Sequence, residues 1–357
     1  MSLFTVGPVS MYPRTLEIDS RQVPYFRTSE FSQLVLENEA LVKKMTFADE
    51  QSRLVFLTAS GTGAMEATVM NCFSTRDKVL VIDGGSFGHR FVEICEIHGV
   101  PFEALHLRFG DELTEEMLAP FEGRGFTGLL VNIHETSVGH LYDGKMLSNF
   151  CHRNDLLFVV DAISSFLADP LDMTELGVDA LIFSSQKALA LAPGLAVVVV
   201  SQRMYEDHVR GKASESMYFD FESHIVNGAR GQTPFTPAVR VLIELNDMLK
   251  FVEETGGVAA KVASTRRRAE AFRESVENLP VRLPTYRLSN AVTPLILDGI
   301  DARGVFETLR NSYNITVNPN GGDLSSKLLR VGHIGNQSED EYRSLAGALD
   351  EILGGTK

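Results

Sequence analysis

Short β-branched runs alternate with amphipathic stretches along this chain, and that alternation is the strongest constraint on its fold. The runs are RLVFLT, KVLVID, TGLLVNI, LLFVVDA, DALIFS and GLAVVVV, with helix-like segments such as residues 64–73 and 87–98 between several of them. Apolar runs of this kind are typical of a mostly parallel sheet with helices on both faces. Such sheets bind ligands beyond the carboxyl ends of their strands. We therefore expect an α/β fold with a site at that edge.

The pattern changes in the last part of the chain, which predicts a second, smaller domain. A long polar helix follows the glycine pair Gly256 and Gly257. It precedes the weaker strand patterns AVTPLIL, ITVN and LLRVG and a final helix over residues 339–353. Glycine pairs are frequent where elements end, because they leave the backbone unrestrained. We predict a large domain over residues 16–254 and a small C-terminal α+β domain over residues 255–357.

Charge and composition exclude several classes of partner. The formal net charge of -14 argues against nucleic acid or an anionic membrane, since both need clustered positive charge. The longest nearly apolar run, residues 188–200, is too short to span a bilayer and contains Pro193 and Gly194. The amino terminus lacks the basic and apolar blocks of a signal peptide. Three cysteines without metal-ligand spacing suit a reducing compartment, so we expect a cytoplasmic protein.

One lysine, Lys187, stands between two apolar strand patterns and is our candidate for the chemistry. It occupies the turn in IFSSQKALALAPGLAVVVV. An amine between buried strands loses hydration, which lowers its pKa and frees the lone pair that attacks an aldehyde. Asp161 ends the earlier strand pattern LLFVVDA, where burial of a carboxylate is unfavourable unless a cation lies beside it. The two residues therefore predict a site for a ligand with an aldehyde and a cationic group.

Two glycine-rich loops complete the predicted site. In TASGTGAMEA, Ser60, Gly61 and Thr62 lead from a strand into a helix, whose free N–H groups and dipole favour an anion. In GGSFGHRF, Phe87 lies on a glycine-flanked loop, where its ring could cover a flat ligand. An amine, a carboxylate, an aromatic partner and a phosphate cradle are what pyridoxal 5'-phosphate requires of a protein. The sequence therefore predicts this cofactor.

Several fragments, taken in order, carry a family resemblance. They are LFTVGPV, SGTGAMEA, SFGHR, HETSVG, VDAISS, SSQKA and LLRVGHIG. With them the chain resembles, over nearly its whole length, the class V, fold-type I pyridoxal-phosphate aminotransferases of the alanine–glyoxylate, serine–pyruvate and 2-aminoethylphosphonate–pyruvate group. The fold implied is the mostly parallel, doubly covered sheet with a smaller C-terminal domain.

The resemblance implies a role for each matching residue. Lys187 would bind the cofactor aldehyde covalently, and Asp161 would be the partner of its ring nitrogen. Further cofactor contacts would come from Ser60, Gly61, Thr62, Phe87, Thr136, Gln186 and Thr236. Arg330 would bind the substrate carboxylate through two parallel hydrogen bonds, and Gly7, on an N-terminal segment over residues 1–15 near the active site, would contact the substrate. Phe87 departs from the family, which has tryptophan or tyrosine at that position.

The resemblance also implies an activity and an assembly. The activity is transfer of an amino group from a small amino acid or 2-aminoethylphosphonate to pyruvate or glyoxylate by a ping-pong mechanism. The assembly is a homodimer with shared active sites, in which the segment around Thr236 crosses between subunits. No metal is predicted, because the spacing of His134 and His140 in HETSVGH does not match HExxH and Gly139 interrupts any helix between them.

Other functions remain as alternatives at this point. A nicotinamide-dependent dehydrogenase is suggested by Gly61, Gly63 and Glu66, which imitate GxGxxG after a strand but lack the third glycine. Another pyridoxal-phosphate activity, such as a lyase, would use the same fold. A cysteine desulfurase needs a nucleophilic cysteine late in the chain, and no cysteine follows Cys151. A regulatory cofactor-binding protein is opposed by the negative charge.

Overall fold

The computed structural model describes residues 1–354, which form thirteen strands and twelve α-helices. The strands are β1 (Ser2–Phe4), β2 (Arg53–Leu57), β3 (Val79–Asp83), β4 (Phe102–His106), β5 (Gly128–Asn132), β6 (His134–Glu135), β7 (His140–Leu141), β8 (Leu157–Asp161), β9 (Ala180–Ser184), β10 (Ala196–Val200), β11 (Val292–Ile296), β12 (Ile315–Pro319) and β13 (Leu328–Gly332). The helices are α1 (Pro13–Asp19), α2 (Ser29–Thr46), α3 (Gly61–Cys72), α4 (Gly88–His98), α5 (Glu115–Leu118), α6 (Gly144–Arg153), α7 (Gln202–Met204), α8 (Phe221–Gly228), α9 (Val239–Glu254), α10 (Gly257–Ser275), α11 (Ala302–Tyr313) and α12 (Glu339–Gly354).

A seven-stranded sheet in the order β2-β10-β9-β8-β5-β3-β4 forms the centre of the molecule. Six strands run in one direction, and β10 runs antiparallel to both of its neighbours. The mostly parallel α/β sheet is therefore confirmed, with β4 as a strand that the sequence pattern did not reveal. The reversal of β10 has a simple cause. Only the loop 185–195 joins it to β9, and a parallel crossover needs a dozen or more residues and usually a helix.

Alternate residues of each central strand pack on opposite faces of this sheet, as strand geometry requires. In β8, Phe158 and Val160 belong to the core on the face covered by α2 and α9. Val159 belongs to the core on the other face, with Met65 of α3 and Phe91 of α4. Both faces are buried, which explains why the strand sequences are continuous apolar runs. The same arrangement leaves the carboxyl ends of the parallel strands free to carry polar loops.

A second sheet, in the order β1-β12-β13-β11, lies in the later part of the chain. Its strand β1 is parallel to β12, with Ser2 opposite Ile315, so the first residues of the chain complete a sheet made by the last part. A separate core, which includes Phe272, Leu309 and Leu345, joins this sheet to α10, α11 and α12. The division into segments 1–15, 16–254 and 255–357 stays a prediction. Over residues 1–354 we find no helix with the length and apolar character that a bilayer crossing demands.

We expect the replacement Phe158→Ala to be strongly destabilising. Phe158, the second residue of β8, is completely buried, so truncation removes a large apolar side chain and leaves a cavity, at a cost of about 3–5 kcal/mol. Phe109→Ala is the control, because that ring is 40% exposed and its loss should cost under about 0.5 kcal/mol. Urea unfolding followed by circular dichroism measures both. Equal shifts in the two variants would contradict the core assignment.

Candidate active site

The predicted site residues lie on loops at one edge of the central sheet. The segment Ser60–Thr62 follows β2, Phe87 follows β3, Thr136 follows β5, and Lys187 follows β9, while Asp161 is the last residue of β8. These five strands run in the same direction, so their carboxyl ends meet at the same edge. Parallel topology thus brings together residues that are far apart in the sequence. Ligands of open α/β sheets bind at this edge.

Lys187 is held by the N-terminal segment. Its Nζ donates a hydrogen bond of 2.7 Å to the carbonyl oxygen of Val6. Gly7 packs against the same side chain: a Cβ at Gly7 would lie 2.6 Å from the lysine Cδ, and the backbone there has a φ of +126°, which favours glycine. The pKa of Lys187 is lowered to about 8, mainly by burial; the charge of Asp161 opposes this shift, and the charges of Arg330 and Arg90 add to it. A much larger neutral fraction of the amine is therefore present near neutral pH than for an ordinary lysine.

Asp161 is a buried carboxylate whose partners among residues 1–354 are neutral. Its Oδ1 accepts from the backbone N–H of Ile163 at 2.8 Å, and its Oδ2 accepts from the Asn132 amide at 2.6 Å. Burial raises the pKa of Asp161 to about 6. A cation placed beside this carboxylate would restore its ionised form, since an opposite charge offsets the cost of desolvation. Ile163 also contacts the start of α3, because its side chain fills the space where a Cβ of Gly61 would lie.

The start of α3 is the candidate anion cradle. Ser60 caps the helix, and its hydroxyl accepts from the N–H of Gly63 at 3.4 Å. Thr62 accepts a hydrogen bond of 2.8 Å from the Arg90 guanidinium. The first N–H groups of a helix have no partner within the helix, and together with the helix dipole they attract an anion. The local structure therefore agrees with the role predicted for this loop.

Glu135 joins the Phe87 loop to the loop after β5. Its buried carboxylate accepts from the N–H of Phe87 at 3.4 Å, of Gly88 at 2.8 Å and of Ser137 at 3.1 Å. Burial raises the pKa of Glu135, and these hydrogen bonds oppose that shift because they favour the ionised form. Gly85 is required for this contact, since a Cβ there would lie 2.6 Å from the carboxyl carbon of Glu135. Glu135 thus sets the position of the Phe87 loop.

Arg330 reaches the site from β13 of the second sheet. Its two terminal nitrogens donate to the carbonyl oxygens of Thr136 at 3.0 Å and Pro319 at 2.9 Å. Its Nε is buried and has no hydrogen-bond partner among residues 1–354, and no carboxylate forms an ion pair with it there. Burial lowers the pKa of Arg330 to about 10, so the group stays charged at neutral pH. A buried guanidinium that contacts only neutral carbonyls can bind an incoming carboxylate.

Comparison with known proteins identifies the family. The family model described as Aminotransferase class-V matches residues 21–334. The chain belongs to the class V aminotransferases. The enzyme is thus a pyridoxal-phosphate-dependent transaminase, and the dehydrogenase alternative is not favoured. The topology of the sheet also argues against a dehydrogenase. In a dinucleotide-binding sheet the strand before the glycine loop lies at the centre, whereas here that strand, β2, lies at the edge beside an antiparallel strand.

Curated relatives cover nearly the whole enzyme at modest identity. It is 29% identical over 360 residues to the "soluble hydrogenase 42 kDa subunit" of Anabaena cylindrica, across 99% of this chain and 93% of that protein. It is 27% identical over 350 residues to a serine–glyoxylate aminotransferase of Hyphomicrobium methylovorum, across 94% and 85% of the two chains. Among solved structures, an aspartate aminotransferase of subgroup IV from Thermus thermophilus has a TM-score of 0.91 and 28% identity, across 99% of both chains.

The structure brings together most of the residues predicted for this transaminase site. Contacts connect the loops that carry Ser60, Gly61, Thr62, Phe87, Thr136, Asp161, Gln186, Lys187, Arg330 and Gly7. Within residues 1–354, Thr236 has no hydrogen bond or ring contact with any of them, and its side chain is exposed. Its predicted contact belongs to a second subunit and stays a prediction.

Sequence reasoning missed three contributors to the site. Arg90 lies one helical turn after Phe87, and this spacing is a signal that could have revealed it. Asn132 precedes the recognised HETSVG fragment and contacts Asp161. The carbonyl of Val6 could not be predicted, because any residue provides one. His134, noted only for metal binding, is buried with both ring nitrogens unpartnered among the described residues, and burial lowers its pKa to about 3.

Buried polar atoms without partners show that the residues present fit pyridoxal phosphate. Among residues 1–354, the side-chain oxygens of Asn132 and Gln186 and the Nε of Arg330 are buried and make no hydrogen bond. Asp161 has no cation in ion-pair contact. Buried polar groups are almost always satisfied, so this cluster is matched to a polar ligand. A ligand with an anionic phosphate and a cationic ring nitrogen fits α3 and Asp161.

The lowered pKa of Lys187 predicts the pH dependence of its reaction with aldehydes. Only the neutral amine is nucleophilic, so the rate of covalent capture of pyridoxal by the cofactor-free protein should rise with pH and level off above a pH of about 8. Stopped-flow absorbance over a pH series measures the rate, with Lys187→Ala as the blank. A rate that levels off only near the ordinary value of 10.5 would show that the amine is not desolvated.

Proposed function

We propose that this enzyme transfers the amino group of a small α-amino acid to pyruvate or glyoxylate at the site around Lys187. The observation that carries the proposal is the buried guanidinium of Arg330, which contacts only neutral carbonyls and lies close enough to lower the pKa of Lys187. Amino donor and keto-acid acceptor each carry a carboxylate that Arg330 can bind in turn. Glyoxylate as acceptor is supported by the name of the Hyphomicrobium relative.

Each residue of the site has a distinct part in this reaction. Pyridoxal phosphate, when bound, supplies an aldehyde that accepts the amino group and a protonated ring that withdraws electrons. Lys187 would hold that aldehyde at rest and would then take a proton from the α-carbon of the donor, for which its pKa of about 8 is suited. Asp161 would keep a proton on the ring nitrogen, and Arg330 would orient the substrate carboxylate.

The remaining residues hold the cofactor in place. The start of α3, from Ser60 to Thr62, would bind the phosphate together with the side-chain amide nitrogen of Gln186, the residue next to Lys187. Phe87 would cover the ring, and Thr136 would be the residue near its hydroxyl. Gly7 leaves room for the lysine side chain and for the substrate. These assignments agree with the contacts of the free protein.

We further propose that the enzyme is a homodimer with shared active sites. Large apolar side chains are exposed in and just before α8: Met217 is 81% and Val226 is 58% accessible. The same region reaches α3, because Phe219 lies 3.8 Å from the position that a Cβ of Gly63 would occupy. A second subunit on this surface would bury these groups and bring its Thr236 toward the phosphate. Sedimentation analysis of the purified protein tests the assembly.

A cytoplasmic location is part of the same proposal. The three cysteines, Cys72, Cys95 and Cys151, are buried and unpaired. Burial raises the pKa of each thiol, so these side chains act as small apolar core residues and not as nucleophiles. Free thiols without disulfides agree with a reducing compartment.

The absorption spectrum of the purified enzyme, with and without amino donors, tests the proposed function. Protein loaded with pyridoxal phosphate should show a visible band that Lys187→Ala lacks or changes. L-Alanine, L-serine, L-aspartate and 2-aminoethylphosphonate are then added separately, and a donor substrate should bleach the band. Initial rates at varied donor and acceptor should give parallel double-reciprocal lines.

The outcomes of the spectral test differ clearly. Bleaching by an α-amino acid supports the proposal. Bleaching by 2-aminoethylphosphonate alone would show that the donor is an aminophosphonate and not an α-amino acid. A protein that gains no band with pyridoxal phosphate would refute the proposed site. Intersecting lines in the kinetic plots would contradict the two-step transfer.

Arg330→Lys should weaken substrate binding without loss of the cofactor. Lysine keeps the charge but cannot form two parallel hydrogen bonds, so the apparent affinity for the donor should fall by about one to two decades. Spectral titration with the donor measures this affinity, and fluorescence titration measures cofactor binding. Arg282→Lys is the matched control, because that arginine is exposed and pairs with Asp298 away from the site. An unchanged donor affinity in Arg330→Lys would defeat the assignment.

A further inference from the structure

Arg90 connects two elements of the site that no motif links. It lies in the first turn of α4, where its guanidinium donates a hydrogen bond of 2.8 Å to the hydroxyl of Thr62. The guanidinium carbon also lies 4.6 Å from the centroid of the Phe87 ring. One side chain thus contacts both the loop after β2 and the loop after β3. These loops carry the anion cradle and the aromatic partner of the proposed cofactor site.

The contact with Thr62 determines the direction of its hydroxyl proton. Arginine has only donors, so the Thr62 oxygen must accept in this pair. The hydroxyl hydrogen of Thr62 is then free to donate to another acceptor. An anion at the start of α3 would be such an acceptor, and its negative charge would strengthen the hydrogen bond. Arg90 therefore prepares Thr62 to act as a donor before the ligand arrives.

The contact with Phe87 determines the face that the ring can offer. A guanidinium over an aromatic ring is attracted by the negative charge of the ring face and restricts its rotation. A cation on one face leaves the opposite face for a flat ligand. Glu135 fixes the backbone of the same loop through the N–H groups of Phe87 and Gly88. Backbone and ring are thus held by separate contacts.

The charge of Arg90 is not neutralised within the protein. Among residues 1–354 its guanidinium forms no ion pair with a carboxylate, and its side-chain hydrogen bond is the one to the neutral hydroxyl of Thr62. Its side chain is half-buried beside the start of α3. Positive charge at this position adds to the field of the helix N-terminus, since opposite charges attract strongly where solvent screening is weak. The location favours a phosphate over a neutral group.

We propose that Arg90 is a positioning residue for the phosphate end of the cofactor: it orients the Thr62 hydroxyl, orients the Phe87 ring and places one uncompensated positive charge beside the cradle. This inference rests on the proposed function, because it assumes that pyridoxal phosphate binds at α3. It goes beyond that function by assigning part of the phosphate affinity to a residue on α4. A purely structural role, in which Arg90 only holds two loops together, is the competing explanation.

Binding of pyridoxal phosphate and of pyridoxal, which lacks the phosphate, separates the two explanations. Fluorescence titration of the cofactor-free protein gives both affinities, and inorganic phosphate serves as a competitor. Arg90→Gln should weaken pyridoxal phosphate binding by about 10- to 100-fold, the value expected for a lost charge-assisted hydrogen bond. Its affinity for pyridoxal should fall by no more than about threefold, because with that ligand only the orientation of the Phe87 ring is lost. Inorganic phosphate should compete less effectively than in the wild-type protein.

Three further variants define which contact is responsible. Arg90→Lys keeps the charge without the planar fork, so it should restore part of the phosphate affinity but still alter the circular dichroism of the bound cofactor. Thr62→Val removes the hydroxyl, and when it is combined with Arg90→Gln the loss should be less than the sum of the two single losses. Arg53→Gln is the matched control, because Arg53 also lies over an aromatic ring, Tyr205, at 5.7 Å, outside the site.

Each outcome has one meaning. Equal weakening of pyridoxal phosphate and pyridoxal by Arg90→Gln, or additive losses in the double variant, would overturn the inference in favour of a structural role. Unchanged binding in Arg90→Gln would also overturn it and leave the proposed function intact. A wild-type protein that binds no pyridoxal phosphate would refute the proposed function itself. If circular dichroism shows that Arg90→Gln does not fold, Arg90→Lys and Thr62→Val are titrated with pyridoxal phosphate and with pyridoxal in the same way. A loss of affinity for pyridoxal phosphate that exceeds the loss for pyridoxal supports the inference, and equal losses overturn it.

Discussion

The short loop between β9 and β10 is the constraint on which the site depends. It is too short for a parallel crossover, so β10 returns antiparallel beside β9, and the loop stays at the carboxyl edge of the sheet. Lys187 lies on this loop, next to the end of β8 with its Asp161. A longer loop would allow β10 another position and would release the lysine. The direction of one strand and the location of the reactive amine therefore have the same cause.

The distribution of charge around Lys187 differs from that of the whole chain. The protein has a formal net charge of -14, but its active-site edge contains Arg90 and Arg330 without carboxylate partners among residues 1–354. Both arginines favour the neutral amine of Lys187, while Asp161 opposes them. A locally positive site in an acidic protein attracts anionic ligands, and the substrates and cofactor of the proposed reaction are anionic. The buried carboxylate of Asp161 would face the cationic part of the proposed cofactor, whereas the buried carboxylate of Glu135 is occupied by the N–H groups of Phe87, Gly88 and Ser137.

Both sheets contribute residues to the candidate site, so its geometry depends on the contact between them. Strand β1 belongs to the second sheet, yet the residue that follows it closely, Val6, accepts from Lys187. Arg330 extends from β13 to the carbonyl of Thr136 on the first sheet. Asp169 adds a buried contact, since it accepts from the Asn290 N–H at 2.8 Å. A shift of the second sheet would therefore change the surroundings of Lys187 and of Arg330 together.

The sequence by itself determined the fold class and named most residues of the candidate site. Strand patterns with two buried faces specify a mostly parallel sheet, and the motifs around Lys187, Asp161 and Arg330 occur where such strands end. Tertiary structure alone decided the partners of these residues: the carbonyl of Val6, the link from Arg90 to Thr62, and the exposed position of Thr236. The physical reason is that periodicity is a local property, whereas backbone carbonyls and distant charges acquire a role only when chain folding brings them within hydrogen-bonding distance.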